Sequence, residues 1–509
     1  MAPLPETADV VVIGAGHNGL ICAAYLAAAG LEVCVLEARE VVGGNTVTEQ
    51  LTLPGFAHDS CSSAHVLIQS NPLLADDELG LLSAYGLRYV QTDPAVVLPQ
   101  EDGDLLVMSR DLAATADELA RWSTSDARAF TALVETWNGG LAAEHGRWNS
   151  GLPLGPHGDA YLAMKAGTAW DLIHRDFEHP VVRSFLLWLS MATIQDPRRP
   201  GTGVLPASIA AGRLRFGWAT PIGGSGALPA ALVRQLAAHG GTVVTDAPVA
   251  GIDVHDGRAT TVRTTDGRTV TARRAVVSGA HLAMMADMLD EPSEDLLRAR
   301  DSWRPGLSVF AVHAALRADL SYNGTTAVAA GYGSVAGVAH QLDAFYRGES
   351  DARDPWLLVV DQTVVDPDRA PDGAATFKIL TIAPYSRSDG RSWDDAKDEF
   401  AAELVERVGK HAAGVSTSDI LALRAESPVD VAGHNPFNLG GSCHGGEFVT
   451  PGGGVIPGWT SYGTGIGGLF LTGATSHPGG SVSGRPGRNA ARAVLASLGL
   501  DSTAVMGPR

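Results

Sequence analysis

Residues 10–37 read as strand, glycine turn, helix, strand and acid, an order that commits the chain to a parallel α/β sheet. An apolar strand, Val10 to Ile13, runs into Gly14-Ala15-Gly16-His17-Asn18-Gly19, then an apolar helix from Leu20 to Ala29. A second strand, Glu32 to Leu36, ends on Glu37. Each glycine answers a physical demand: Gly14 the tight turn, Gly16 the approach of a pyrophosphate to the backbone, Gly19 the close seating of helix on strand. The helix start offers free N–H groups and about half a positive charge, which suits phosphate. His17 and Asn18 sit inside that turn, with His17 touching phosphate or packing the loop. Glu37 stands near the roughly 20-residue spacing at which an acid takes a ribose 2′-hydroxyl, and its charge disfavours a 2′-phosphate. The expectation is a Rossmann-type fold for a dinucleotide other than NADP.

The fingerprint alone does not separate NAD from FAD. Ala38, Arg39 and the string Gly43-Gly44-Asn45 follow the acid, so the chain can pass close to an extended cofactor with a fixed cation beside it. With these residues the sequence resembles the flavoproteins of the phytoene desaturase and amine oxidase superfamily. The closing segment, Gly468 to Ala491, strengthens the resemblance: strand, glycine loop, then helix, with Gly473-Ala474, His477-Pro478-Gly479-Gly480, Val482 and Pro486-Gly487-Arg488-Asn489. It is similar to the final FAD motif of the phytoene-desaturase-related branch, which includes carotenoid desaturases and desaturase-like carotene ketolases. The resemblance implies an FAD cofactor, with Gly473 and Ala474 beside the pyrophosphate and ribityl chain, Gly480 and Val482 in the same loop, and the helix after Pro486 starting near the flavin ring. Ala474 stands where many superfamily members carry an acid. It also implies that the backbone at Val249 faces the adenine. Asp256-Gly257 and Asp266-Gly267, set between Thr/Val-rich runs, predict a three-stranded meander that returns through Ala275 to Ser278 to the nucleotide sheet.

Residues 1–75, 215–290 and 430–509 carry the cofactor signals, so a discontinuous FAD domain of the glutathione-reductase-2 kind is expected there. Residues 76–214 and 291–429 lack them and are expected to form an inserted α+β substrate domain. Helical periodicity spans Asp111 to Trp122, Asp126 to Trp137 and Asp394 to Val408, while Leu307 to Leu316 and Ala375 to Ile382 read as strands. A net charge of −19 over 509 residues argues against a nucleic-acid partner, and no Lys/Arg run suggests a local basic groove. The four cysteines, Cys22, Cys34, Cys61 and Cys443, include no C-x-x-C, which argues against a dithiol redox centre and a zinc site. No H-x-x-x-H spacing supports a metal. The N-terminus lacks a basic leader, and the longest apolar run, Val181 to Ile194, is too short to span a bilayer, so a cytoplasmic protein is expected. Peripheral membrane contact and homo-oligomerisation stay open.

The absence of a second strand–G-x-G-x-x-G–helix unit points to oxygen or a quinone as electron acceptor rather than a nicotinamide. The insert is apolar and carries Trp137, Trp148, Trp170 and Trp188, which suggests a hydrophobic substrate. Family resemblance implies an isoprenoid or lipid-like molecule, with hydride transfer between an activated C–H and flavin N5 giving desaturation, saturation, isomerisation or ketolation. His58, His444 and His477 are the candidate proton-handling residues, and at least one is expected to face the flavin. The main alternative is a flavin amine oxidase, for which Lys378, Trp459 and Tyr462 are the residues to watch. A binding protein on the same scaffold, like the GDP-dissociation inhibitors, is disfavoured because the glycines and Glu37 are intact.

Overall fold

Buried on nearly every residue, the strand Thr7–Ile13 needs cover on both sides, and it receives a parallel neighbour on each edge. The computed structural model describes residues 4–447 and 462–507. Its first sheet runs in the order Val249–His255, Arg258–Thr264, Thr269–Ser278, Thr7–Ile13, Val33–Leu36, Thr242–Val244, with Leu469–Leu471 beside the second half of Thr269–Ser278. The Asp-Gly pairs form the turns of the expected meander, with Asp256 and Gly257 both at positive φ. The helices His17–Ala28, Ala227–Ala238 and Arg485–Ser497 cover one face, where Leu20, Tyr25, Leu232 and Ala490 share a core. Cys22 and Cys34 are core residues on the first helix and second strand.

A second sheet, antiparallel for most of its width, orders Ile420–Glu426, Val309–Leu316, Ala375–Ile382, Leu357–Val360, Ala329–Tyr332, Val96–Pro99 and Leu105–Met108. Helices Leu112–Ala120, Thr124–Thr136 and Trp393–Gly409 form where the periodicity predicts, each with an acid or serine accepting a backbone N–H at its start. The apolar run from Val181 lies in the helix Pro180–Met191, buried against this sheet. Among the described residues no helix is long and apolar enough to cross a membrane.

The tryptophans of the insert serve packing rather than the cavity described below. Trp188 donates to the Leu357 carbonyl at 2.8 Å, and Trp356 donates back to the Trp188 carbonyl at 3.2 Å. None of Trp137, Trp148, Trp170 and Trp188 lines that cavity; the tryptophan that does is Trp218.

Candidate active site

The carboxyl ends of the parallel strands meet at one edge of the first sheet, the place where open α/β sheets bind ligands. Gly14 N–H donates to the Leu36 carbonyl and Gly279 N–H to the Ile13 carbonyl, both at 2.7 Å. Glu37 N–H and Thr472 N–H continue the row, to Val244 and Ser278 at 2.9 and 2.8 Å. Every chain segment with a cofactor signature therefore ends at this edge. A cavity of about 380 Å³ opens there, lined by Gly14, Gly16, His17, Asn18, Gly19, Glu37, Ala38, Gly43, Gly44, Asn45, Val249, Gly473, Ala474 and Val482.

These residues suit a dinucleotide. The helix His17–Ala28 has no side chain capping its N-terminus and no acid in its first turn. A Cβ added at Gly16 would meet nothing within 4 Å, so that backbone is open to a phosphate. Gly19 is different: a Cβ there would lie 2.2 Å from the Gly14 carbonyl oxygen, which is why the helix can start so close to the strand. The Glu37 carboxylate accepts Ala15 N–H at 2.7 Å and Arg39 N–H at 3.0 Å, so it is held in place before any ribose arrives. His17 packs the turn, with Nδ1 3.0 Å from Thr46 Oγ1 and Nε2 3.0 Å from Asn18 Nδ2. Burial pushes its pKa down to about 4.

Two cofactor candidates lie beside the cavity rather than in its lining. Arg39 donates to the Gly44 carbonyl at 3.3 Å and sits 3.5 Å from Glu49 and 3.1 Å from His434, so it braces the glycine loop. Gly480 abuts the His444 carbonyl. Of the three histidines, the structure brings only His444 to the cavity. His58 pairs with Thr52 Oγ1 at 2.7 Å and packs edge-on against His313. His477 contacts the Trp148 carbonyl through Nε2 at 2.6 Å and stacks edge-on with that ring.

His444 belongs to a polar chain that spacing in the sequence hides. Cys61 and Cys443 lie hundreds of residues apart, yet both line the cavity and their thiols are hydrogen-bonded. Spacing in the sequence gives no sign of this proximity, and both cysteines are free thiols. The Cys443 thiol beside it holds the Cys61 thiol below its ordinary pKa, with Lys378 adding to the effect. Cys443 Sγ lies 3.0 Å from His444 Nδ1, which ties the ring to the thiol pair. Burial lowers the His444 pKa to about 4, so the ring is neutral at pH 7.

Lys378, on the strand Ala375–Ile382, does not line the cavity. Its ammonium donates to the carbonyls of Asp59, Ser60 and Cys61 and to Ser63 Oγ, at 2.5–3.3 Å. It fixes the loop whose Cys61, Ser62 and Ser63 form the wall. Tyr462 is a core residue that donates to the His477 carbonyl, and Trp459 lies outside the described residues.

Two further lining residues, His281 and Asn435, lacked any signal strong enough to find them. His281 lines the cavity and accepts Ala283 N–H through Nδ1, which leaves its buried Nε2–H without a partner among the described residues. Asn435 and Asn438 clamp Asn45 with bonds of 2.8 and 2.7 Å, joining the second glycine loop to the closing segment; Asn435 lines the cavity as well. The rest of the lining is apolar and comes from elsewhere in the chain: Val66, Leu67, Ile194, Ile209, Leu358 and Leu380.

Comparison with known proteins agrees with this architecture. Residues 19–495 match the model of the flavin-containing amine oxidoreductases. The chain is 26% identical to pyridine nucleotide-disulfide oxidoreductase domain-containing protein 2 of Mus musculus, covering 96% of this chain and 94% of that protein. It is 28% identical to a limonene dehydrogenase component of Castellaniella defragrans, covering 97% and 95%. With the lycopene-forming phytoene desaturase of Pseudescherichia vulneris it shares 25% identity, covering 93% and 96%. The chain belongs to the flavin-containing amine oxidoreductase family and is an FAD-dependent oxidoreductase of the phytoene-desaturase-related kind.

Proposed function

We propose that the protein makes, saturates or shifts a carbon–carbon double bond in an apolar, isoprenoid or lipid-like substrate, with ketolation as a variant of the same site. The observation that carries this reading is continuity: the fingerprint glycines and the apolar residues Val66, Ile194, Ile209, Leu358 and Leu380 line one cavity. The names of two relatives refer to limonene and to phytoene, both isoprenoid hydrocarbons, which supports the same substrate class.

In this reading Gly14, Gly16, His17, Asn18, Gly19, Gly43, Gly44 and Asn45 cradle the pyrophosphate side of FAD, and Glu37 with Ala38 holds the ribose. Val249 borders the adenine, while Gly473, Ala474, Gly480 and Val482 shape the flavin side, with Arg39 bracing the loop. When bound, FAD supplies a two-electron redox centre that no side chain provides. His444 takes the proton role: its ring lines the cavity and is neutral at pH 7. The apolar wall excludes water from the reacting bond. Residues 1–75, 215–290 and 430–509 act as the cofactor domain and 76–214 with 291–429 as the substrate domain. In the oxidative directions oxygen or a quinone takes the two electrons, saturation draws two electrons from a reductant such as a quinol, and a double-bond shift is redox-neutral. Contact with a membrane surface fits a substrate that partitions into lipid.

The test is the absorbance spectrum of the purified protein, followed by anaerobic mixing with polyenes, terpenoids and amines. Bleaching of the flavin band by a terpenoid or polyene supports the reading. Bleaching by amines alone replaces it with an amine oxidase.

A further inference from the structure

Part of the cavity wall is polar and carries none of the dinucleotide signatures. The helix Leu205–Phe216 carries Arg213 in its last turn and ends at Gly217, whose φ of +58° turns the chain back. A Cβ at Gly217 would lie 2.1 Å from the Thr92 carbonyl oxygen, so no other residue makes this turn easily. The turn stacks the Arg213 guanidinium 4.1 Å from the centre of the Trp218 ring. Both side chains line the cavity and both are buried, at 5% and 1% exposure.

Neither is satisfied. Among the described residues, Arg213 Nε and Trp218 Nε1 have no acceptor. The guanidinium reaches the Gly217 carbonyl through Nη1 at a long 3.4 Å. Burial pulls its pKa down to about 9, with no carboxylate acting against that shift. Residues 1–3, 448–461 and 508–509 contain no Asp or Glu, so the rest of the chain holds no acidic side chain to pair with it. Buried donors are almost always paired, and an unpaired cation is costly enough that a missing acceptor calls for an explanation. Ile194, on the same wall, sits at φ +52°, a region that β-branched residues rarely enter and that clusters at ligand sites.

We propose that Arg213 and Trp218 form an anion subsite that takes the carboxylate of the apolar substrate. The inference rests on the apolar-substrate reading and narrows it. A carboxylate brings two acceptor oxygens, enough for both orphan donors, and a charged acceptor on arginine makes the stronger class of hydrogen bond. A pure hydrocarbon leaves both donors bare. An ammonium would meet a buried like charge, so the same pair disfavours amines.

The experiment titrates the purified holoprotein with three probes of one shape: farnesoate, its methyl ester and farnesol, read by calorimetry. The expected result is that farnesoate binds about 10- to 100-fold more tightly than the ester, the range for a charge-assisted hydrogen bond. Arg213→Met should erase that gap with flavin content retained, and Arg213→Lys should keep part of it. Equal binding of acid and ester by the wild type overturns the anion subsite while leaving the apolar reading in place. Binding of none of the three overturns both. A gap that survives in a folded Arg213→Met protein overturns the assignment to Arg213. The wild-type ratio stands even if that variant does not fold.

Discussion

Glu37 and His444 show how single side chains divide the labour at this edge. Glu37 is positioned by two backbone N–H groups, so its carboxylate has capacity left for a ribose hydroxyl. Glu37→Gln keeps the shape and removes the charge, so FAD affinity should fall about 10- to 100-fold, the range set by the roughly 1.5–3 kcal/mol of a charged hydrogen bond. The ratio of flavin to protein absorbance after dialysis measures this, and an unchanged ratio would remove Glu37 from the ribose site. For His444, a pKa of about 4 sets the pH profile: as a base it stays competent at neutral pH and loses function only as pH falls through about 4. His444→Gln should lower kcat by about 10²- to 10⁴-fold with FAD content intact; full turnover would end its catalytic role. The Glu37 site is legible in the sequence because its parts are contiguous with one strand and one turn. His58, His444 and His477 are not separable in that way. All three lie in loop-like, glycine-bearing stretches, and only the packing of distant segments decides that one reaches the cavity while another meets Trp148.

At the scale of elements, two contacts decide whether the cofactor edge forms. The first is the seat of helix His17–Ala28 on its strand. Gly19→Ala drives a methyl into the Gly14 carbonyl at 2.2 Å, and backbone on both sides leaves little room to yield. A loss of about 1–3 kcal/mol in urea unfolding is expected, the usual cost of overpacking; an unshifted midpoint would show that the helix sits elsewhere. The second is the tie between the short strand Thr48–Glu49 and the helix Pro428–His434, where His434 Nε2 lies 3.0 Å from Glu49. The Glu49 hydrogen bond raises the His434 pKa, while His434 and Arg39 outweigh burial and hold the Glu49 carboxyl low. The pair therefore stabilises fully below the ordinary histidine value of about 6.5 and above the ordinary glutamate value of about 4.3. Its contribution fades as pH rises through the raised His434 value, and as pH falls through the lowered Glu49 value. Unfolding of wild type and His434→Gln across pH 5 to 8 should show a gap that is widest near pH 5.5. A gap that grows toward pH 8 would contradict the pairing.

For the whole molecule, the cavity is assembled from segments near both ends and the middle of the chain, so the cofactor should act as a stabilising ligand. FAD at 100 times its Kd should add about 2.7 kcal/mol to stability. Thermal unfolding with and without added FAD tests this, and coincident curves would mean that the cavity is not its site. The sequence alone determined the parallel sheet, the dinucleotide edge, the meander and two of the seven strands of the second sheet. Those features rest on local chemistry: glycine where a turn or close approach demands it, alternation in strands, periodicity in helices. Tertiary structure alone decided the pairing of Cys61 with Cys443, the loop held by Lys378, the His281 N–H in the wall, and the stacking of Arg213 on Trp218. None of these has a spacing to read, except the short helix end at Gly217, because each depends on where separate segments meet once the core is buried.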